Sequence, residues 1–100
     1  MRLDSIWDTE KGVNDYPKVK ESLLKRFGVK SMYDIRLNNF CEDYSKNSGY
    51  GTHVYYGKLK DDVEVSELEL AMICDNGYSF FGGSSVIDAD KKFKVEIWFD

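Results

Sequence analysis

Val63-Glu64-Val65-Ser66-Glu67-Leu68-Glu69-Leu70-Ala71-Met72-Ile73-Cys74 supports two incompatible local structures. Ser66 followed three residues later by Glu69 matches a capping box, and Glu, Leu, Ala and Met are good helix formers. On a helical wheel, however, the apolar residues scatter all round. As a strand, Val63 and Val65, then Leu68, Leu70, Met72 and Cys74, share one face after a single slip near Ser66, which is what a β-bulge does. Glu64, Glu67 and Glu69 then take the opposite face. Pattern outranks propensity, so the segment is expected to be a strand. Asp75-Asn76-Gly77 supplies hairpin chemistry after it and leads into Tyr78-Ser79-Phe80-Phe81.

Toward the C-terminus, Tyr78 to Ile87 continues as a strand that Gly82-Gly83 bends or bulges. Asp88-Ala89-Asp90-Lys91 turns the chain. The last strand alternates cleanly: Phe93, Val95, Ile97 and Phe99 face inward, and Lys94, Glu96, Trp98 and Asp100 outward. Toward the N-terminus, His53 to Lys60 reads as a strand closed by a turn at Asp61-Asp62. Residues 42 to 51, rich in Ser, Asn and Gly, read as a loop. Tyr33, Ile35 and Leu37 alternate with Asp34, Arg36 and Asn38, a half-buried strand pattern over 31 to 38. Before it lies an amphipathic helix. Asn14 or Asp15 serves as N-cap, Pro17 sits near the first helical position, and Gly28 stops it. Tyr16, Val19, Leu23, Leu24 and Phe27 share its apolar side. The outline is α+β: one N-terminal amphipathic helix packed on a four- to five-stranded antiparallel sheet, in a single domain over residues 1 to 100.

Composition agrees with one packed core. The chain is 42% hydrophobic with a single proline, which argues against disorder. The longest apolar run, Leu70 to Cys74, is far short of the roughly 18 residues a membrane span needs. Acids at Asp4 and Asp8 interrupt the N-terminal stretch where a signal peptide is apolar. Both features point to a cytoplasmic chain. Cys41 and Cys74 are not spaced as a redox or zinc motif, and they read as two reduced thiols with Cys74 in the core.

Charge is distributed unevenly along the chain. Between residues 17 and 36, Lys18, Lys20, Lys25, Arg26, Lys30 and Arg36 outnumber Glu21 and Asp34. Between 61 and 90 stand Asp61, Asp62, Glu64, Glu67, Glu69, Asp75, Asp88 and Asp90, with no lysine or arginine at all. On the strand reading, Glu64, Glu67 and Glu69 form one acidic face that the turn acids flank. Such an array attracts cationic surfaces and can imitate phosphates to a nucleic-acid-binding protein. Outward Trp98 and the loop aromatics Tyr44 and Tyr50 supply interface anchors. The partner-binding residues expected from this reading are Asp61, Asp62, Glu64, Glu67, Glu69, Trp98 and Tyr50.

Catalytic patterns are weak. His53 is the only histidine, so any Ser–His–Asp or Cys–His arrangement must use it, and no nucleophile elbow is present. Gly82-Gly83 lacks the lysine and following helix of a phosphate loop. Neither a cofactor nor a metal is expected. Gly49, Tyr50, Gly51 and Tyr55 echo part of a ribonucleoprotein signature, yet no strand is expected ahead of the first helix, as that fold requires. The function class that suits these features is a non-catalytic protein-binding module or inhibitor acting on a basic, nucleic-acid-handling partner. A phage or mobile-element anti-defence protein, such as an anti-CRISPR, fits that description, as does an immunity protein against a basic toxin. The alternative is a single-stranded nucleic-acid binder that stacks bases on Tyr50, Tyr55 and Tyr56 with support from Lys58 and Lys60. A small enzyme or ligand carrier is the third class. An edge strand could also pair two copies as a homodimer.

Overall fold

The computed structural model describes residues 2–4, 10–75 and 82–98. Five strands form one antiparallel sheet: β1 (Arg2–Asp4), β2 (Cys41–Gly49), β3 (Thr52–Leu59), β4 (Gly82–Ile87) and β5 (Lys92–Trp98), in the order β1-β4-β5-β3-β2. Helices α1 (Glu10–Phe27) and α2 (Glu67–Cys74) complete the α+β fold. No helix among the described residues is long and apolar enough to cross a membrane.

The segment from Val63 to Cys74 overturns the strand expectation. Glu67–Cys74 is α2, and residues 63–66 before it are irregular chain. The capping box forms as its residues dictate: Ser66 Oγ accepts from Glu69 N–H at 3.1 Å, and Glu69 Oε1 accepts from Ser66 N–H at 2.7 Å. Each helix cap of this kind contributes about 1 kcal/mol. The scatter of apolar residues around the wheel has a physical reason. Leu70, Ala71, Met72, Ile73 and Cys74 are all buried, and a helix enclosed on every side needs no amphipathic stripe.

Other boundaries shift for equally specific reasons. Residues 31 to 38 form two 3-10 turns, Met32–Asp34 and Leu37–Asn39, rather than a strand. Met32 and Ile35 are buried there, so the apolar spacing serves turns that tuck two side chains into the core. Residues 42 to 51 are not a loop. They supply most of β2, an edge strand whose side chains after Cys41 are all exposed, so no apolar alternation marks it. Helix α1 starts at Glu10 rather than at an Asn14 or Asp15 cap, and Pro17 lies inside it. Gly28, at φ +66, ends it in the left-handed conformation glycine tolerates. A strand, β1, does precede that helix. The expected hairpin at residues 75 to 77 and the strand start at 78 to 81 lie outside the described residues, except that Asp75 is the C-cap of α2.

The core lies on one face of the sheet. Phe93, Val95 and Ile97 of β5 point inward with Tyr55 and Leu59 of β3, toward α2 and Leu23 of α1. Phe27 of α1 packs on Phe40 with ring centroids 5.9 Å apart. Gly83, paired with Leu3 and Ile97, adopts φ +145, and a Cβ there would collide with the Glu96 carbonyl. Gly83 is thus a point where β4 leaves no room for a side chain against β5. The opposite face of the sheet carries no helix among the described residues and presents Tyr56, Val86 and Trp98 as exposed side chains.

Candidate functional site

The acids predicted to bind a partner separate into two groups. β3 ends beside the start of β5, so the Asp61-Asp62 turn and the 88–91 turn meet at one end of the sheet. Lys91 ties them together. Its N–H and C=O belong to the β4–β5 turn, its carbonyl accepts from Leu59 N–H at 2.9 Å, and its Nζ donates to the carbonyls of Asp61 and Val63 at 2.7 Å each. The same Nζ lies 3.6 Å from a Glu64 carboxylate oxygen. Asp88 Oδ1 accepts from the N–H groups of Asp90 and Lys92, both at 2.9 Å, which fixes the second turn. Asp61, Asp62, Glu64, Asp88 and Asp90 are all exposed at this end.

Glu67 and Glu69 do not join that group. With α2 helical, Glu67 accepts from Ile87 N–H at 2.9 Å and so anchors the helix to β4. Glu69 closes the capping box and pairs with Arg26 of α1 at 2.9 Å. The single glutamate face expected over residues 63 to 74 is therefore replaced by structural roles for two of its three members. Tyr50 and Trp98 are exposed as expected, but Tyr50 caps the β2–β3 hairpin and Trp98 pairs with Thr52 next to it. They sit at the other end of β3 from the acids, roughly 23 Å away at about 3.3 Å per strand residue.

The open sheet face gathers a different set. The register places Tyr56 beside Lys94, Lys58 beside Lys92, and Thr52 beside Trp98. Lys94 Nζ lies 5.8 Å from the Tyr56 ring, and Trp98 Nε1 donates to Glu96 at 3.0 Å. Tyr55 is not part of this surface. It is buried and donates its hydroxyl to the Cys74 carbonyl at 3.1 Å, and burial, with Cys74, Asp75 and Tyr44 nearby, pushes its pKa up to about 12. Lys60 donates to the Asn39 carbonyl at 3.0 Å, so it braces a turn.

Sequence reasoning missed a cleft on the helical side of the sheet. It has a volume of about 400 Å³ and lies where β2 and β3 extend toward the 3-10 turns. The segment of the 3-10 turns contributes Tyr33, Arg36 and Asn38 to its lining, and β2 contributes Tyr44 and Lys46. Tyr55, Ile73 and Cys74 contribute its apolar side. The period-2 placement of Tyr44 and Lys46 was the available signal, hidden because both flanking positions are polar. A second groove, between α1 and α2 around Val19 and Leu68, is smaller, at about 260 Å³.

Groups capable of chemistry elsewhere are held inert or apart. Cys41 and Cys74 are free and buried. Burial pushes Cys41 up to about 11, with Lys60 opposing it, and burial together with Cys41 and Asp75 raises Cys74. Neither thiol is ionised near neutral pH, so neither is a ready nucleophile. Ser48 Oγ lies 2.9 Å from His53 Nδ1 across the β2–β3 hairpin, and partial burial with Lys46 lowers the His53 pKa. That is nucleophile–base distance, but neither residue lines either cleft. Asp75 is the outlier. It is 3% exposed, its carboxylate oxygens have no hydrogen-bond partner among the described residues, and burial pushes its pKa up to about 8. No three His, Cys, Asp or Glu side chains gather as metal ligands among the described residues.

Comparison of this chain with known protein families, curated proteins and solved structures yields no match. Function therefore has to be argued from the surfaces themselves.

Proposed function

We propose that this chain is a non-catalytic binding module that docks the acidic end of its sheet on a basic partner protein. The observation that carries the proposal is the meeting of two acidic turns, with Asp61, Asp62, Glu64, Asp88 and Asp90 exposed around one structural lysine. Rigid turns hold these carboxylates without the entropy loss that flexible side-chain arrays incur on binding. Their potential speeds encounter with a cationic surface, and spaced carboxylates occupy the place of phosphates for a nucleic-acid-handling protein. An anti-defence inhibitor from a phage or mobile element, of the anti-CRISPR kind, is the setting this chemistry suits. Charge reversal of Asp61, Asp62 and Glu64 to lysine tests it, because none of the three supports the fold through a side-chain hydrogen bond among the described residues. Reversal of Glu67 or Glu69 would confound binding with folding.

A second reading rests on the open sheet face. Tyr56 and Trp98 with Lys58, Lys92 and Lys94 offer aromatic surfaces and cations to a single strand. Fluorescence anisotropy with short labelled oligonucleotides at low salt decides it. Binding near micromolar protein that Tyr56→Ala abolishes supports this reading, and its absence removes it. The long exposed edge β2 is the place where a second copy would pair, which sedimentation velocity measures directly.

A further inference from the structure

We propose that the cleft between the 3-10 turns and β2 binds a planar anion with the chemistry of a nucleoside monophosphate. Its volume of about 400 Å³ falls in the range of small-molecule sites, roughly 300–1,000 Å³. In a chain of net charge −4, this cleft is lined by Arg36 and Lys46 and, among the described residues, by no carboxylate. Arg36 is exposed and pairs with no acid among the described residues. Lys46 Nζ rests 5.4 Å from the centre of the Tyr55 ring, which places the ammonium beside another residue of the same cleft. Two cations lining one cleft, one of them a guanidinium able to bind two oxygens at once, match a phosphate.

The remaining walls determine the rest of the ligand. Tyr33 and Tyr44, 52% and 43% exposed, put aromatic rings in the lining, the side-chain type on which bases stack. The Asn38 amide offers both a donor and an acceptor to a base edge. Ile73 and Cys74 give the cleft an apolar side, against which the non-polar edge of a base can pack. Bare phosphate would leave the tyrosine faces unused, and an uncharged nucleoside would leave the cations unused. The nucleotide can come from two sources, a free monophosphate or the 5′-phosphorylated end of a strand.

The test is a titration of the ¹⁵N-labelled chain, followed by amide chemical shifts, with AMP, GMP, CMP and UMP. Adenosine, inorganic phosphate and a 5′-phosphorylated trinucleotide serve as comparison ligands. The expected result is at least one nucleotide that shifts amides within residues 33–38 and 44–46 and near Tyr55 and Cys74. Adenosine and phosphate should each bind about tenfold more weakly, and Arg36→Gln and Lys46→Gln should each weaken binding about tenfold. Equal or tighter binding of the trinucleotide assigns the strand end as the source, and its exclusion assigns the free nucleotide; either result supports the site. No shift at roughly 5 mM nucleotide, shifts confined to the open face around Tyr56 and Lys94, or phosphate binding as tightly as every nucleotide would overturn the proposal. The acidic turns line no part of the cleft, so failure here leaves the docking proposal standing and the reverse also holds.

Discussion

The acidic end of the sheet and the cationic cleft are opposite solutions to placing charge on a small protein. At the acidic end a lysine is built in: Lys91 Nζ bonds two backbone carbonyls and lies beside Glu64, so the carboxylates around it are partly compensated and their two turns are tied together. In the cleft no acid compensates among the described residues: Arg36 and Lys46 line one concavity without a carboxylate. Charge count alone would rank the acids first. Local compensation reverses that ranking for a small ligand, because an uncompensated charge in a concavity keeps its field. A broad, partly neutralised convex end suits a large partner, where steering and rim contacts matter more than one strong pair.

Asp75 belongs to neither region, and it offers the largest effect that would sharpen the contrast. Its folded pKa, about 8, lies above the ordinary carboxyl value of 3.8. The stability this group contributes is full below about pH 4, falls as pH rises, and is lost above about pH 8. Asp75→Asn keeps the shape and removes the titration. Urea unfolding at pH 5 and pH 8.5 should show the wild-type chain losing stability across that interval more than the variant. At the higher pH the variant should be more stable by about 3 kcal/mol. Parallel pH profiles for the two proteins would mean that Asp75 is ionised and satisfied in the fold.

Lys91→Met comes next. It removes two charge-assisted bonds to carbonyls, each worth roughly 1.5–3 kcal/mol at most, and one of the two turns should loosen. A loss of about 2 kcal/mol in thermal or urea unfolding is expected. A change under about 0.5 kcal/mol would show that the turns hold themselves and that the acidic end is not braced by its lysine. Smaller still is Glu67→Ala, which leaves the part-buried Ile87 N–H without its carboxylate acceptor and should destabilise by about 1.5 kcal/mol. Glu64→Gln is the control from the same acidic run. With its side chain 92% exposed, it should change stability by less than about 0.5 kcal/mol. Equal losses for Glu67 and Glu64 would erase the division between structural and surface acids.

How far the amino-acid sequence discloses this arrangement depends on what each side chain touches. β5 is legible because Phe93, Val95 and Ile97 are buried while Lys94 and Trp98 are exposed, the alternation that one covered face requires. The turn before it is legible from Asp88 and Asp90. β2 is not, because an edge strand outside the core is held by backbone pairing to β3, which leaves no apolar trace. α2 is misread for the opposite reason: a helix buried all round has no polar face to set its period, and only Ser66 and Glu69 signal it. The acidic end was half legible. Asp61, Asp62 and Glu64 could be named, but their meeting with Asp88 and Asp90 depends on β3 lying beside β5. The cleft was not legible, since Arg36 and Lys46 come from segments read as a strand and a loop.

The most direct test of the central claim is parallel affinity capture from lysate of the native host. The tagged chain and its Asp61→Lys/Asp62→Lys/Glu64→Lys variant are compared after nuclease treatment, with matched circular dichroism spectra confirming that both are folded. A stoichiometric basic protein should be retained by the wild-type chain, survive nuclease, and be lost from the variant. Equal capture of the same partner by both proteins, or partners that vanish with nuclease, would contradict docking through the acidic end.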